Sequence, residues 1–408
     1  MQIKHLTSAN YADAFVELDQ LLSRYQAIWR TSPFTEDMLD WQADNPQLYQ
    51  GLVNLSDEQL AQLADEQQLL KWMSHYLPAL EMASGWQISP FDGLVTAMPK
   101  FGDVGIPGRK KQQITAFASA VRQQHNHLPH QGKIIDWCSG KGFLARQLHY
   151  LSGQQMTCLE YDKTLCQAGV LHATQHQNNI HFIEQDVLQP INRQVTDNAI
   201  LHTALHACGD LHIAMMKTAS NTNAPHIALS PCCYHLTKHQ HYQPLSANAR
   251  QSALKLCKTD LRLAVLQTVT AGNRVKRLRE QELVWRIAFD LLQRQITANE
   301  HYLPTPSINK KWLSGSFVDY CTFMADQQQL LLPASFDVPK LLAQAQIKFQ
   351  RIIRLEYARL AFRRAMEHWL ILDRVLYLQE QGYRVEVCQF CDVTISPRNA
   401  LIQAYTSA

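Results

Sequence analysis

The chain has 408 residues, 46% hydrophobic, 18% charged and 9% aromatic, which excludes wholesale disorder and suits one large domain or two ordinary ones. Lys and Arg total 38 against 35 Asp and Glu, and a net charge of +3 does not by itself mark a nucleic-acid binder. The charge is uneven, however. Residues 1–100 hold 5 basic and 13 acidic side chains, and residues 101–408 hold 33 and 22, so an anionic partner is expected to meet the second part.

Ten cysteines are too few for a secreted disulfide scaffold, and MQIKHLTSANYADAF lacks the apolar core of a signal peptide. No apolar run approaches the roughly 18 residues of a membrane span. The expectation is a cytoplasmic protein with reduced thiols and no membrane contact.

In YADAFVELDQLLSRYQAIW the apolar Phe15, Leu18, Leu21, Leu22 and Tyr25 recur at helical spacing, and Ser56 opens a second helix through Leu60, Leu63 and Leu69. Residues 1–90 are therefore expected to form a helical N-terminal domain. The Pro- and Gly-rich 91–107 reads as a linker. From Gly108 the pattern changes. A helix (KKQQITAFASAV) is followed by KIIDWC, MTCLEYD, HFIEQDV, AILHTALHACG and HIALSPCCY, β-like runs with helix-compatible stretches between most of them. Such alternation predicts a parallel sheet with helices on both faces. Residues 237–363 read as a mainly helical insertion, including SANARQSALKLCKTDLRLAVLQT and RLREQELVWRIAFDLLQRQI. The long helix FRRAMEHWLILDRVLYLQEQG then leads into RVEVCQFCD, a Ser396-Pro397 turn and NALIQAY, so the α/β domain comprises 108–236 and 364–408 and ends on an antiparallel hairpin.

Asp136-Trp137-Cys138-Ser139-Gly140-Lys141-Gly142 lies between a strand and a helix, the setting a nucleotide-like cofactor requires. Gly140 and Gly142 allow close backbone approach. The first glycine of a dinucleotide fingerprint and the Lys-Ser/Thr of a phosphate loop are both missing, which argues against NAD and ATP. Glu160, ending the second strand, is placed to accept ribose hydroxyls, and Asp186, after the third, to meet a base edge. Acid, Gly, Gly, acid and Asp at three successive strand ends form a constellation stronger than its parts.

This pattern resembles the class I S-adenosylmethionine-dependent methyltransferases over roughly 108–235 and 364–405. The resemblance implies a Rossmann-like sheet of seven strands, the last antiparallel, with S-adenosylmethionine as cofactor. It assigns the amino-acid end of the cofactor to Asp136, Cys138, Gly140 and Gly142, the ribose to Glu160 and the adenine to Asp186; Cys138 stands where most members carry Gly. Leu205-His206-Ala207-Cys208-Gly209, Ser230-Pro231-Cys232-Cys233-Tyr234-His235 and Ser396-Pro397-Arg398-Asn399 together resemble the methyltransferase domain of the glutathione S-transferase C-terminal-domain-containing protein and the methyltransferase-like-25 group. The tRNA acceptor-stem 2′-O-methyltransferases are a more distant likeness. An RNA substrate, tRNA before rRNA, is the expectation. A protein or small-molecule acceptor, with a partner docking on the acidic N-terminal domain, and a non-catalytic binding module are the alternatives.

His206, Asp210, Cys232, Cys233, Tyr234 and His235 fall at the ends of the fourth and fifth strands, where an open parallel sheet binds ligands, and are the candidate catalytic residues. His235 or Asp210 would serve as base if the acceptor is a hydroxyl. Packing, a zinc site with Cys208 and His235, and a cysteine nucleophile compete as roles for Cys232 and Cys233. Adjacent cysteines on a strand point to opposite sides, which argues against zinc, and no metal is assigned. Cys388 and Cys391 read as core. Arg109, Lys110, Lys111, Arg398 and Asn399 are candidate substrate contacts. Arg274, Lys276, Arg277, Arg279, Lys310, Lys311, and the series Lys348, Arg351, Arg354, Arg359, Arg363 and Arg364 suit either phosphate contacts or a solvated helix face.

Overall fold

The computed structural model describes residues 3–83, 85–99, 103–124, 132–266 and 273–406. The seven apolar runs expected as strands pair into one sheet. In chain order they are β1 (Lys133–Trp137), β2 (Gln155–Glu160), β3 (Ile180–Glu184), β4 (Ala199–Ala204), β5 (His226–Leu229), β6 (Tyr383–Gln389) and β7 (Ala400–Thr406), and the order across the sheet is β3-β2-β1-β4-β5-β7-β6. β1 to β5 are parallel, and β7 runs antiparallel between β5 and β6. The order reverses between β1 and β4, so the crevice at their carboxyl ends is the topological switch point where such sheets take ligands. Register reinforces this: Asp136 is paired with Cys158 and Glu160 with Glu184, so β1, β2 and β3 end side by side.

Among the described residues the longer helices packed with this sheet are α1 (Tyr11–Arg24), α2 (Gly108–Gln124), α3 (Phe143–Ser152), α4 (Lys163–Gln175), α5 (Asp210–Asn221) and α6 (Arg363–Glu380). All six residues of β4 are buried, as expected of a parallel strand covered on both faces. Phe117 and Val121 of α2 and Leu144 and Leu148 of α3 share one core with Ile134, Met156 and Leu201. Each such side chain contributes about 1.5–3 kcal/mol by leaving water.

The chain divides into two compact units, one made of Met1–Arg24, Met82–Leu266 and Arg363–Ala408, the other of Tyr25–Glu81 and Gln267–Phe362. This differs from the expected division at 90, 107, 236 and 364. Helix α1 belongs with the sheet because Phe15 packs tilted against Trp369 of α6 with ring centroids 5.0 Å apart, while Trp369 Nε1 and Ser252 Oγ both donate to Asp19 Oδ1. The expected linker is likewise tied down. Thr96 N–H donates to Ser119 Oγ, the Thr96 carbonyl accepts from Gln147 Nε2, and Phe91 N–H donates to the Gln389 carbonyl. Residues 100–102 of that stretch lie outside the described residues. In the second unit, the helices Asn273–Thr297, Phe317–Gln327 and Val338–Leu360 enclose a core that includes Phe289, Tyr320, Met324 and Phe349.

Two expected helices are shorter than their periodicity suggests. The run opened by Ser56 splits into Asp57–Leu63 and Glu66–Ser74, because Asp65 caps the second piece by accepting from Gln68 N–H. Between 246 and 266 only Ala247–Gln251 and Lys258–Leu263 are helical; residues 267 and 268 of that reading lie outside the described residues. Among the described residues no helix is long and apolar enough to cross a membrane.

Candidate active site

Three of the six residues assigned to the cofactor, Cys138, Glu160 and Asp186, line one cavity of about 380 Å³, together with Leu159, Tyr161, Gln185, Val187 and Leu211. Glu160 holds the floor of the glycine turn. Its Oε2 accepts from Gly140 N–H at 2.8 Å and its Oε1 from Asp162 N–H at 2.9 Å. Each oxygen keeps a further lone pair, which is what a sugar diol needs. Asp186 closes a local turn by accepting from Leu188 N–H, and the Gln185 amide donates to the Asp186 carbonyl.

The two glycines have different reasons to be glycine. Gly140 has φ +58°, and a Cβ built on it would meet nothing within 4 Å, so the space beside it is open to a ligand. Gly142 has φ +70°, and its Cβ would lie 2.6 Å from Phe182 Cζ; the expected role of close ligand approach gives way there to packing. Cys138, standing at a glycine position of the resembling family, has φ +54°, a left-handed conformation that side chains other than Gly adopt at a cost of about 1–2 kcal/mol. Asp136 is 2% exposed, and its Oδ2 is buried without a hydrogen-bond partner. Burial raises its carboxyl to about 8, against a backbone hydrogen bond with Ala145 and the Lys110 charge, which lower it. An orphaned buried carboxylate oxygen, an open glycine cradle and a diol-ready acid fit the ammonium, methionine and ribose parts of S-adenosylmethionine.

The strand ends of β4 and β5 form the adjoining wall. His206 reaches solvent at its rim; surrounding protein and the Lys110 charge hold its imidazole down to about 4, which makes it a weak base. Asp210, the first residue of α5, accepts from Lys238 N–H at 2.8 Å and so helps fix the segment after β5. Tyr234 is 3% exposed with its hydroxyl buried and unpartnered, and His235 Nδ1 is also buried without a partner. Burial lowers the His235 imidazole, helped by nearby Arg262 and Arg398 and opposed by the Cys233 charge.

The cysteines depart from the sequence reading. Cys232 and Cys233 lie beyond β5, and Cys233 has φ +47°, so the alternation expected of strand neighbours does not hold. Cys208 Sγ and Cys232 Sγ are 3.3 Å apart, and the three sulfurs of Cys208, Cys232 and Cys233 lie within 4.8 Å of one another. The hydrogen bond from Cys232 lowers the Cys233 thiol, while hydrogen bonds with Cys208 and then Cys233, together with burial, push the Cys232 thiol up.

The substrate candidates are less uniform. Arg109 Nε donates to the Ile395 carbonyl and Lys111 pairs with Asp103, whereas Lys110 lies over the Phe143 ring at 5.0 Å and bears on Asp136. Arg398 donates to the Val265 carbonyl. Asn399 is buried and its amide donates to the Cys391 carbonyl, a turn-holding contact. In the basic series, Lys348 pairs with Asp37, Arg354 with Asp57, Arg359 with Glu356, and Arg363 and Arg364 with Glu367. Arg351 donates to the Asp37 carbonyl. Arg274, Arg277, Arg279, Lys310 and Lys311 are exposed, and the Lys276 side chain lies outside what is described.

Behind the wall lies a network the sequence did not reveal. Arg374 of α6 is wholly buried; its Nε donates to His212 Nε2 at 2.8 Å, its Nη1 donates to Tyr242 OH at 3.1 Å, and its guanidinium lies 4.8 Å from the Tyr234 ring. Because His212 Nε2 accepts, its Nδ1 carries the proton and donates to the Ala207 carbonyl at 2.9 Å, one residue before Cys208. Tyr242 OH in turn donates to Asp373, which also accepts from Leu245 and Ser246. The cavity residues Tyr161, Gln185 and Val187 were also missed, although each adjoins an acid that was identified.

Residues 109–240, roughly a third of the chain, match the model of a family described as a methyltransferase domain. The matched segment contributes five parallel strands to a seven-stranded sheet of Rossmann-like order. No curated protein sequence matches the chain. Among solved structures, a SAM-dependent methyltransferase from Aquifex aeolicus is 12% identical, the match covering 26% of this chain and 60% of that one at a TM-score of 0.23. The magnesium protoporphyrin IX methyltransferase of Synechocystis PCC 6803, with bound SAH, is 16% identical over 34% of this chain and 61% of that one, TM-score 0.25. The geranyl diphosphate C-methyltransferase of Streptomyces coelicolor A3(2) is 12% identical over 35% and 55%, TM-score 0.22. The chain thus spans less than two thirds of the length of each.

Proposed function

We propose that the whole chain is an S-adenosylmethionine-dependent methyltransferase acting on RNA, with tRNA preferred over rRNA. The observation that carries the enzymatic part is the cavity in which Glu160, Asp186 and Cys138 meet beside the open Gly140 and the orphaned Asp136 oxygen. When bound, the cofactor supplies an electrophilic methyl on a sulfonium. Glu160 would hold the ribose, Asp186 the base, and Asp136 the ammonium. The strand-end wall of Tyr234 and His235 would orient the acceptor about 3 Å from the methyl carbon. His235 would take the proton that a hydroxyl or amine acceptor gives up.

The basic bias of residues 101–408 and the exposed Arg277, Arg279, Lys310 and Lys311, the last lying 5.7 Å from the Trp312 ring centroid, support RNA as the acceptor. A second reading, a protein or small-molecule acceptor, is favoured by the internal pairing of Lys348, Arg354, Arg359, Arg363 and Arg364, which leaves fewer cations for phosphates. Transfer of labelled methyl from the cofactor to tRNA, rRNA and total protein of a strain lacking the gene separates the two. Label in tRNA supports the first reading, label confined to protein or small molecules supports the second, and absent cofactor binding by calorimetry removes both.

A further inference from the structure

We propose that Cys208, Cys232 and Cys233 form a three-thiolate site for a thiophilic divalent cation, zinc foremost, with the fourth position open to water or to the methyl acceptor. The three sulfurs lie within 4.8 Å of one another and the closest pair is 3.3 Å apart. Zinc–sulfur bonds of about 2.3 Å in a tetrahedron place sulfurs about 3.8 Å apart, inside that range, so small side-chain rotations suffice.

The backbone is built for this convergence. Cys233 is left-handed at φ +47°, which turns its side chain from the strand alternation that would separate it from Cys232. Gly209, directly after Cys208, has φ +57°, and its N–H donates to the Cys232 carbonyl at 3.1 Å, stitching the two cysteine segments together. A Cβ on Gly209 would lie 1.9 Å from the Leu236 carbonyl oxygen, so only glycine permits the contact. A left-handed non-glycine residue costs about 1–2 kcal/mol, and such strain collects where function holds it. Simple packing of small thiols needs no such strain: Cys158 and Cys321 are buried without a left-handed backbone.

The donor set points to the metal. Three soft thiolates select zinc or another soft cation over magnesium or calcium. Cys208 follows β4 and Cys232 and Cys233 follow β5, so the three sulfurs lie at the carboxyl ends of these strands, where Ser230 Oγ also donates to the Arg398 carbonyl. Three protein ligands with an open fourth position are the pattern of a catalytic rather than a purely structural zinc site. Only this role for the open position rests on the methyltransferase reading; the metal site does not.

Elemental analysis of the full-length protein, purified under reducing conditions without chelator, is expected to give about one zinc per chain. Cobalt added to metal-stripped protein should produce a thiolate-to-cobalt charge-transfer band. C208S and C233S should each lower zinc content at least tenfold, while C391S should retain it. Because the wild-type metal content and cobalt spectrum need no variant, misfolding of a substituted protein does not obscure the result. Substoichiometric zinc in wild type, or a Cys208–Cys232 disulfide by mass mapping with no cobalt band, overturns the proposal. Calorimetry with S-adenosylmethionine on the same preparation separates the two readings: cofactor binding without metal leaves the methyltransferase standing and removes the zinc site, and metal without cofactor binding does the reverse.

Discussion

Replacing Gly140 and Gly142 separately by alanine tests whether the open space beside the first glycine belongs to a ligand. In the protein alone, a methyl on Gly140 meets nothing within 4 Å, so the only cost is its backbone, at φ +58°. That strain is about 1–2 kcal/mol, a fall in melting temperature of roughly 2–8 °C for a unit of this size. Gly142→Ala carries the same backbone cost at φ +70° and in addition drives its methyl to 2.6 Å from Phe182 Cζ. Overpacking adds about 1–3 kcal/mol, so its stability loss should be about twice as large. Binding should rank in the opposite order. The new methyl at 140 would occupy the cofactor's place, costing about 1–3 kcal/mol, or roughly 5–150-fold in Kd. The methyl at 142 faces Phe182 and should leave the affinity of the folded fraction little changed. Differential scanning fluorimetry reads the first ranking and isothermal titration with S-adenosylmethionine the second. A Gly140→Ala protein that binds the cofactor as tightly as wild type would refute the placement of the ligand.

On the proposed reading Glu160 accepts from both ribose hydroxyls, so Glu160→Ala would remove two charge-assisted hydrogen bonds at about 1.5–3 kcal/mol each and weaken cofactor binding at least a hundredfold by calorimetry; affinity within threefold of wild type would contradict it. Asp136 has its carboxyl raised in the folded chain from 3.8 to about 8, so the folded state favours the protonated form. Its contribution to stability is therefore fully present below about pH 4 and is lost as pH rises through about 8; the cofactor-free protein should lose melting temperature across that window, and Asp136→Asn should flatten the loss. Arg374→Met removes the buried guanidinium that Tyr242 OH links to Asp373 and should cost about 3–5 kcal/mol in urea unfolding, with the Arg374→Met/Asp373→Asn double substitution less damaging than the sum of the two singles; a change below about 0.5 kcal/mol would argue against the network.

The sheet was legible because its signal is local. Each strand is a short apolar run closed by a polar or glycine residue, and Asp136, Glu160 and Asp186 mark the ends of three of them. Residue identity alone also placed Cys138, Gly140 and Glu160 together, since strand ends in this fold share one edge. What escaped was set by backbone angles or distant partners. Nothing in the string Cys232-Cys233 announces a left-handed turn, and nothing links Arg374 to His212, 162 positions away, until helix α6 lies against the sheet. The unit boundary near Arg24 was hidden for a similar reason: the apolar stripe runs on past Tyr25, while the partner of its first half, Trp369, comes from the far end of the chain. The basic series read equally well as a phosphate surface or as paired side chains, because a sequence shows charges but not their carboxylate neighbours.

The position of β7 bears on how the chain is made. This strand is synthesised after β6 yet is wedged between β5 and β6, so neither neighbour can complete its hydrogen bonding until Ala400–Thr406 has left the ribosome. During translation β5 would present a naked ladder edge, with β6 waiting nearby for a strand not yet born. Such an edge invites pairing with another nascent chain.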